Sequence, residues 1–272
     1  MARDFDLLVY QFYGGHNITI VPIADVHLGS EECMEESFVS FIDSVKNTPN
    51  VYLTLGGDLI DNGTKNSVTN VYRQIMRPSE QKRRMAEILE PVADRLLCAV
   101  SGNHERRSSS GKSGVDDDPT YDILCKIDKE EIYRENMAVM KIQLGVPETE
   151  NGARSSGQDR PCYSIVVCHG SGGGMLPGAA INRGQRFGYV FSGMMDALIV
   201  GHTHVPYNAK YKKINIDVRN NRISFETFKV VCATSWLEYG DYPVQKMLLP
   251  TAFADQSLVL SGKTKSLKCG LE

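Results

Sequence analysis

Short apolar runs of strand length alternate along this chain with stretches in which apolar residues recur every three or four positions, and the strand-like runs repeatedly end in a polar, glycine-flanked motif. Residues 5–12 and 17–23, rich in β-branched and aromatic side chains and separated by Gly14-Gly15, read as two strands with a tight turn. The second runs into Asp25-Val26-His27. Ser30 then precedes Glu31, Glu32 and the series Met34, Phe38, Phe41, Ile42 and Val45. That spacing predicts a helix with Ser30 as N-cap and an acidic first turn suited to the helix dipole. Pro49-Asn50 stops it. Residues 51–55 form a strand that delivers Gly57-Asp58, with Asp61 and Asn62 close behind. Met85, Ile88, Leu89 and Val92 share one face of a helix over 80–92, and the strand 96–100 ends in Gly102-Asn103-His104-Glu105. Three passes of strand, polar motif and helix are the α/β pattern, with function expected at the strand ends.

The pattern continues with a short helix at 121–127, a strand at 137–144, and a buried strand at 164–168 that ends in His169-Gly170. A helix over 183–195 leads to the strand 197–200 and Gly201-His202-Thr203-His204. Beyond Tyr207 the texture changes: Ile214, Ile216 and Val218 alternate, Asn220-Asn221 offers a turn, and Ile223 and Phe225 resume the alternation, which predicts antiparallel strands. The polar stretches 106–120 and 147–161 read as loops. Neither a repeat nor a linker divides the sequence, so one domain is expected over 1–272, with its motifs inside 25–204 and a β-rich part over 205–269.

Composition narrows the class. A 42% hydrophobic and 23% charged chain of net charge -3 is that of a globular protein without a global field to attract nucleic acid or an anionic membrane. Its seven cysteines include no Cys-x-x-Cys pair, which excludes a zinc ribbon and favours reduced thiols in a cytoplasm over a disulfide framework. The start lacks the basic and apolar signature of a signal peptide, and no segment approaches the ~18 apolar residues of a membrane span. A cytoplasmic protein with no membrane partner is expected.

The chemistry gathers at the strand ends. Asp25 and His27, two residues apart, would point the same way from an extended segment. Five of the six histidines, His27, His104, His169, His202 and His204, stand in the terminal motifs, and only His16 lies outside them. Carboxylates with imidazoles suit divalent manganese, iron or zinc. So many candidates exceed one four-coordinate ion and suit two that share a carboxylate, the arrangement that performs in-line displacement at phosphorus.

In this order, Asp25-x-His27, Gly57-Asp58, Gly102-Asn103-His104-Glu105, His169-Gly170 and Gly201-His202-Thr203-His204 resemble the five motifs of the calcineurin-like metallophosphoesterases. The resemblance implies an α/β four-layer sandwich, two mixed β-sheets packed face to face with helices on the outer faces. It implies that Asp25, His27 and His204 hold one metal, that Asn103, His169 and His202 hold a second, and that Asp58 bridges them. Two divalent ions are implied, manganese first, with iron, zinc or nickel as alternatives, and a hydroxide bridging them as nucleophile. His104 would be left off the metals to meet the scissile phosphate and protonate the leaving oxygen. Asp61 matches the acid that pairs with this histidine in the phosphoprotein phosphatases.

Those phosphatases follow that acid with an arginine, whereas this chain has Asn62, and Gly-His-Thr-His belongs to the broader phosphodiesterase branches. The expected activity is therefore hydrolysis of a phosphodiester or phosphomonoester of small-molecule or nucleotide type. A DNA-repair-type nuclease, a Ser/Thr protein phosphatase and a catalytically silent scaffold rank behind it. A sequence pI of about 6.1 and the short tail after residue 204 count against the nuclease. Arg106, Arg107 and Asn62 are the candidates for substrate contact. Gly172-Gly173-Gly174 reads as a pliable connection beside the site, Lys82-Arg83-Arg84 as a solvated helix face, Cys168 as a buried strand residue, and Trp236 and Tyr239 as closing the second sheet.

Overall fold

The computed structural model describes residues 3–64, 67, 74–109, 117–146, 160–172, 177–191, 195–240, 244, 250 and 252–270. Among the described residues, twelve strands form two mixed six-stranded sheets. The first contains β2 (Ile18–Ile23), β3 (Val51–Leu55), β4 (Leu96–Val100), β5 (Tyr133–Arg134), β11 (Leu258–Leu260) and β12 (Leu267–Cys269), in the order β12-β11-β2-β3-β4-β5. The second contains β1 (Leu8–Tyr13), β6 (Met137–Val146), β7 (Cys162–Cys168), β8 (Ala197–Val200), β9 (Tyr207–Asp217) and β10 (Arg222–Cys232), in the order β1-β6-β7-β8-β10-β9.

Alternation along the strands explains why the sheets stack. Successive side chains point to opposite faces, so each central strand feeds two cores. Ile18 and Ile20 of β2 join Leu97, Cys98 and Val100 of β4 and Tyr163, Ile165 and Val167 of β7 in one cluster between the sheets. Ile23 and Leu53 turn instead toward Phe38, Ile42, Val45, Met85 and Leu89 of the helices α1 (Glu35–Asn47) and α2 (Pro78–Leu89). On the far side Val166, Leu198, Val200 and Phe228 form a third cluster. The helix α5 (Pro177–Gly188) contacts β8, β9 and β10 there. Three cores separating four layers match the expected sandwich. The remaining helices, α3 (Arg106–Ser109) and α4 (Pro119–Cys125), are short and follow β4.

Several local expectations are corrected. The two N-terminal strands are present but make no hairpin: β1 pairs in parallel with β6, and β2 with β3, so Gly14-Gly15 carries the chain from one sheet to the other. Ser30 is not the cap of α1. The helix begins five residues later, with Met34 at its N-cap, while the Ser30 hydroxyl donates to Glu32 and its backbone bridges to Leu28 and Gln74. The helix expected over 183–195 starts at Pro177 and ends at Gly188. Trp236 packs on Phe38, Phe41 and Phe253 at the α1 face of the first sheet, while Tyr239 is exposed. The 147–161 loop and Gly173-Gly174 lie largely outside the described residues. No disulfide joins any of the seven cysteines. Among the described residues no helix is long and apolar enough to cross a membrane.

Candidate metal centre

The loops that follow β2, β3, β4, β7 and β8 meet at one end of the sandwich. Asp25 and His27 reach it by a route different from the expected one. The strand ends at Ile23, and both residues have left-handed backbones, with φ of 54° and 50°. They converge through two tight bends, not through strand alternation. Asp58, His202 and His204 share that conformation, at φ of 50°, 70° and 54°. Five of the nine non-glycine residues with positive φ among the described residues are thus candidate ligands. Non-glycine residues adopt this region at a cost, and such strain persists where the surroundings over-determine it.

Those surroundings are visible. Asp25 and His27 donate their backbone N–H groups to the carbonyls of Gly57 and Asp58 at 3.1 and 3.0 Å, lashing the first two motifs together. Glu105 supplies the strongest restraint. Its buried carboxylate accepts from the N–H groups of Asp58 and Gly102 at 2.9 Å each, from Leu59 at 2.7 Å and from Ile60 at 3.3 Å. Burial, followed by the Asp58 charge, raises its pKa. Gly57 and Gly102 let the loops approach: a Cβ on Gly102 would sit 2.3 Å from the Asp58 backbone nitrogen, and one on Gly57 would sit 2.5 Å from the nitrogen of Gly102.

Three overlapping groups of donors result, each with its ligand atoms within 4.8 Å of one another: Asp25, His27 and His204; His27, Asp58 and His104; Asp58, His169 and His202. Asn103 joins the last group, its Oδ1 lying 2.9 Å from His169 Nε2 and 2.6 Å from His202 Nδ1. His104 is also within this cluster, its Nδ1 3.3 Å from that of His27. The same nitrogen meets Asp61, whose backbone oxygen lies 2.7 Å and whose carboxylate lies 3.3 Å from it, so the two residues expected to pair are adjacent.

The donor set fits divalent metal. His27 and His204 present Nε2 atoms to each other at 3.2 Å, and His169 Nε2 faces His202 Nδ1 at 3.2 Å, with carboxylates alongside. A cation between such acceptors satisfies them, and neutral imidazole with carboxylate suits manganese, iron or zinc. Protonation follows the same geometry. Burial and the nearby His104 push the His27 pKa well below its usual value, and burial with His169 lowers that of His202. Burial alone would do the same to His169, but the Asp58 carboxylate at 3.3 Å outweighs it and raises that pKa to about 9. Asp25 likewise overcomes burial at His204 and raises its pKa. Burial opposes the Asp58 charge, yet His169 and His104 hold its carboxyl well below the usual range. Each outer group therefore pairs one imidazole held toward the neutral form with one held toward the protonated form.

A sequence profile described as calcineurin-like phosphoesterase matches residues 18–206. The chain belongs to the calcineurin-like phosphoesterases. No curated protein matches it. Among solved structures, the NAD nucleotidase of Haemophilus influenzae aligns over 93% of this chain and 49% of its own length, at 10% identity and a TM-score of 0.36. The chain thus spans about half the length of that protein.

Every motif residue of this phosphoesterase domain lies at the loop cluster. The three candidates for substrate contact divide. Arg107 is beside the centre, donating to His104 Nε2 at 2.8 Å and to the Asp61 carbonyl at 3.1 Å. Arg106 ties loops together through the Ser101 and Glu135 carbonyls, at 3.0 and 3.3 Å. Asn62 is buried, and its amide donates to the His104 carbonyl and to Ser108 Oγ at 2.8 Å each; a substrate contact would have to break these bonds. Sequence reasoning also missed two buried supports. Glu105 stood inside a motif without a task, and Gln81, which accepts from the Asn62 N–H at 2.9 Å, was hidden beside Lys82, Arg83 and Arg84, read as a solvated helix face.

Proposed function

We propose that this chain hydrolyses a phosphate ester of small-molecule or nucleotide type. Asp25, His27 and His204 would hold one divalent ion, Asn103, His169 and His202 a second, and Asp58 would belong to both. Manganese is the first choice, with iron, zinc or nickel behind it. The observation that carries this reading is the overlap of the donor groups, because Asp58 and His27 each belong to two of them. When bound, two such ions activate a nucleophile at neutral pH and neutralise charge on the phosphoryl oxygens.

The remaining work falls to side chains of the chain itself. Asp61 holds the Nδ1 edge of His104, so that once Arg107 turns from Nε2 to a phosphoryl oxygen, a protonated Nε2 would face the departing oxygen and supply its proton. The Arg107 guanidinium, already at that nitrogen, is placed to take a phosphoryl oxygen when substrate enters. Asn62 and Glu105 fix the loops from below.

The test is a substrate panel. Protein stripped with a chelator should be inert toward aryl phosphate, bis-aryl phosphate, nucleotides and single-stranded DNA, and manganese should restore turnover of one of the small esters. Metal-loaded protein that hydrolyses none of them sinks the proposal. Single-stranded DNA cleaved as fast as the small diester would move the assignment to a nuclease.

A further inference from the structure

A cavity of about 230 Å³ opens beside the second donor group, between α5 and the ends of β7, β8 and β9. His169, Gly170 and Gly201 form its inner wall, so it begins at the candidate centre itself. Phe187 and Tyr207 contribute aromatic rings, Ala180 and Gly184 contribute small residues from α5, and Cys168, Val200 and Thr203 line the floor. Two cations, Arg106 and Arg183, and the polar Asn136 and Ser171 complete it, and no carboxylate is present among the described lining residues. Several of these groups are held in place. The Tyr207 hydroxyl donates to the Ala180 carbonyl at 3.3 Å, and the Arg183 guanidinium donates to the Ser171 carbonyl.

We propose that this slot receives the alcohol side of the phosphate ester and selects a leaving group that carries a single aromatic ring. The inference rests on the phosphoesterase reading above and narrows its substrate class to aryl or arylmethyl phosphates. Size, wall chemistry and place all support it. An apolar cavity of ~150 Å³ admits one benzene ring, whereas drug-sized ligands need ~300 Å³ or more. The slot lies between those limits, room enough for one ring and its linking atom. Aromatic side chains contact a ring edge or face favourably, and guanidiniums favour a π face over an aliphatic one. Because His169 belongs both to the slot and to a donor group, a phosphoryl group at the centre would present its ester oxygen toward the slot.

Gly184 shows how little space is spare. A Cβ there would sit 2.3 Å from the Tyr207 hydroxyl oxygen and 2.9 Å from Val230 Cγ1, so α5 approaches β9 and β10 closely on that side of the slot. Ala180, one turn earlier, is the position from which a larger side chain would enter the cavity.

Two measurements test the assignment. The first compares kcat/KM for benzyl phosphate and ethyl phosphate, whose alcohols leave with similar basicity, so the ring is the difference. Burying a ring of this size corresponds to about a 10- to 100-fold preference for benzyl phosphate. Ala180→Phe should collapse that ratio toward one. Phe187→Ala, which removes a side chain that is already 38% exposed and so spares the fold, should reduce it several-fold. The second measurement needs neither metal nor turnover: ligand-observed NMR of benzyl alcohol with metal-free protein should show binding that Ala180→Phe abolishes. A benzyl-to-ethyl ratio near one in the native chain, or benzyl alcohol binding that survives Ala180→Phe, overturns the slot while leaving phosphoesterase activity standing. Loss of all ester hydrolysis with benzyl alcohol binding intact would remove the general reading but retain the slot as a ring-binding site.

Discussion

The loops after β2 and β3 and the loops after β7 and β8 supply comparable donors and are built differently. In the first pair Asp25, His27 and Asp58 are at most 3% exposed, and the two loops are joined by backbone bonds from Asp25, His27 and Leu28 to Gly57, Asp58 and Leu59. Glu105 locks the second of them through the N–H groups of Asp58, Leu59 and Ile60. In the other pair His169 is buried, but His202 and His204 are half-exposed, and their loops border the α5 slot. The two walls are tied by the His202 N–H, which donates to the Asp25 carboxylate at 2.8 Å, and by His169, whose Nδ1 lies 2.8 Å from the Gly56 carbonyl. A site that must hold charge in a fixed geometry and still admit substrate needs both constructions: a rigid wall to fix the donors, and an open wall to receive the ligand.

The largest effect should come from breaking the rigid wall at its shared member. Asp58→Asn removes charge from two donor groups at once, so metal analysis should show loss of bound metal and turnover should fall to background. His202→Ala on the open wall should lower metal affinity by at least the roughly 10- to 100-fold that loss of an outer-shell partner costs, with turnover restorable by added manganese. Equal effects of the two substitutions would erase the distinction between the walls.

Next in size is the leaving-group step. His104→Ala should lower kcat about 10²- to 10⁴-fold. Metal content should stay normal if the ring protonates the departing oxygen and should fall if His104 is a ligand, as its place in the middle donor group allows. Esters with very good leaving groups should be the least affected.

Glu105→Ala tests the support of the rigid wall. It strands four backbone N–H groups around a buried gap, with an expected cost of about 3 kcal/mol or more. For a chain of this size that lowers the melting temperature by roughly 6–12 °C. An unchanged melt would show that the loops after β3 and β4 stand without this carboxylate.

Layers and candidate ligands were readable in the sequence for one reason: each strand alternates between two apolar faces and then ends abruptly in a polar motif, so both the fold class and the candidate donors lie in local order. Other features were not local. Nothing in residues 24–28 shows that Asp25 and His27 sit at positive φ, because those bends are imposed by bonds to the Gly57 and Asp58 carbonyls. Glu105 looked like the last letter of its own motif, yet its partners are mainly on the loop after β3. Ser30 had the chemistry of a cap, but its hydroxyl is engaged by Glu32 and its backbone by Leu28 and Gln74. The α5 slot needed the whole sheet order before it could be seen, since its walls come from β7, β8, β9, α5 and the loop after β4.

The smallest expected effect concerns protons, and it treats the two walls alike. In each outer donor group one imidazole is neutral and one carries a raised pKa, His169 at about 9 and His204 in the same direction. A folded-state pKa above the usual ~6.5 of histidine means that these groups stabilise the metal-free fold fully below ~pH 6.5. That contribution is lost as pH rises through about 9 for His169. A metal ion competes for the same nitrogens, so its binding must release the protons. Manganese affinity should therefore climb about tenfold per pH unit for each proton released as pH rises from 7 toward 9, and the gap between metal-loaded and metal-free melting temperatures should widen over the same range. Calorimetry in buffers of different ionisation enthalpy would count the protons directly. A flat affinity across that window would mean that His169 is already neutral in the metal-free protein, and that the Asp58 charge fails to reach across 3.3 Å to hold its proton.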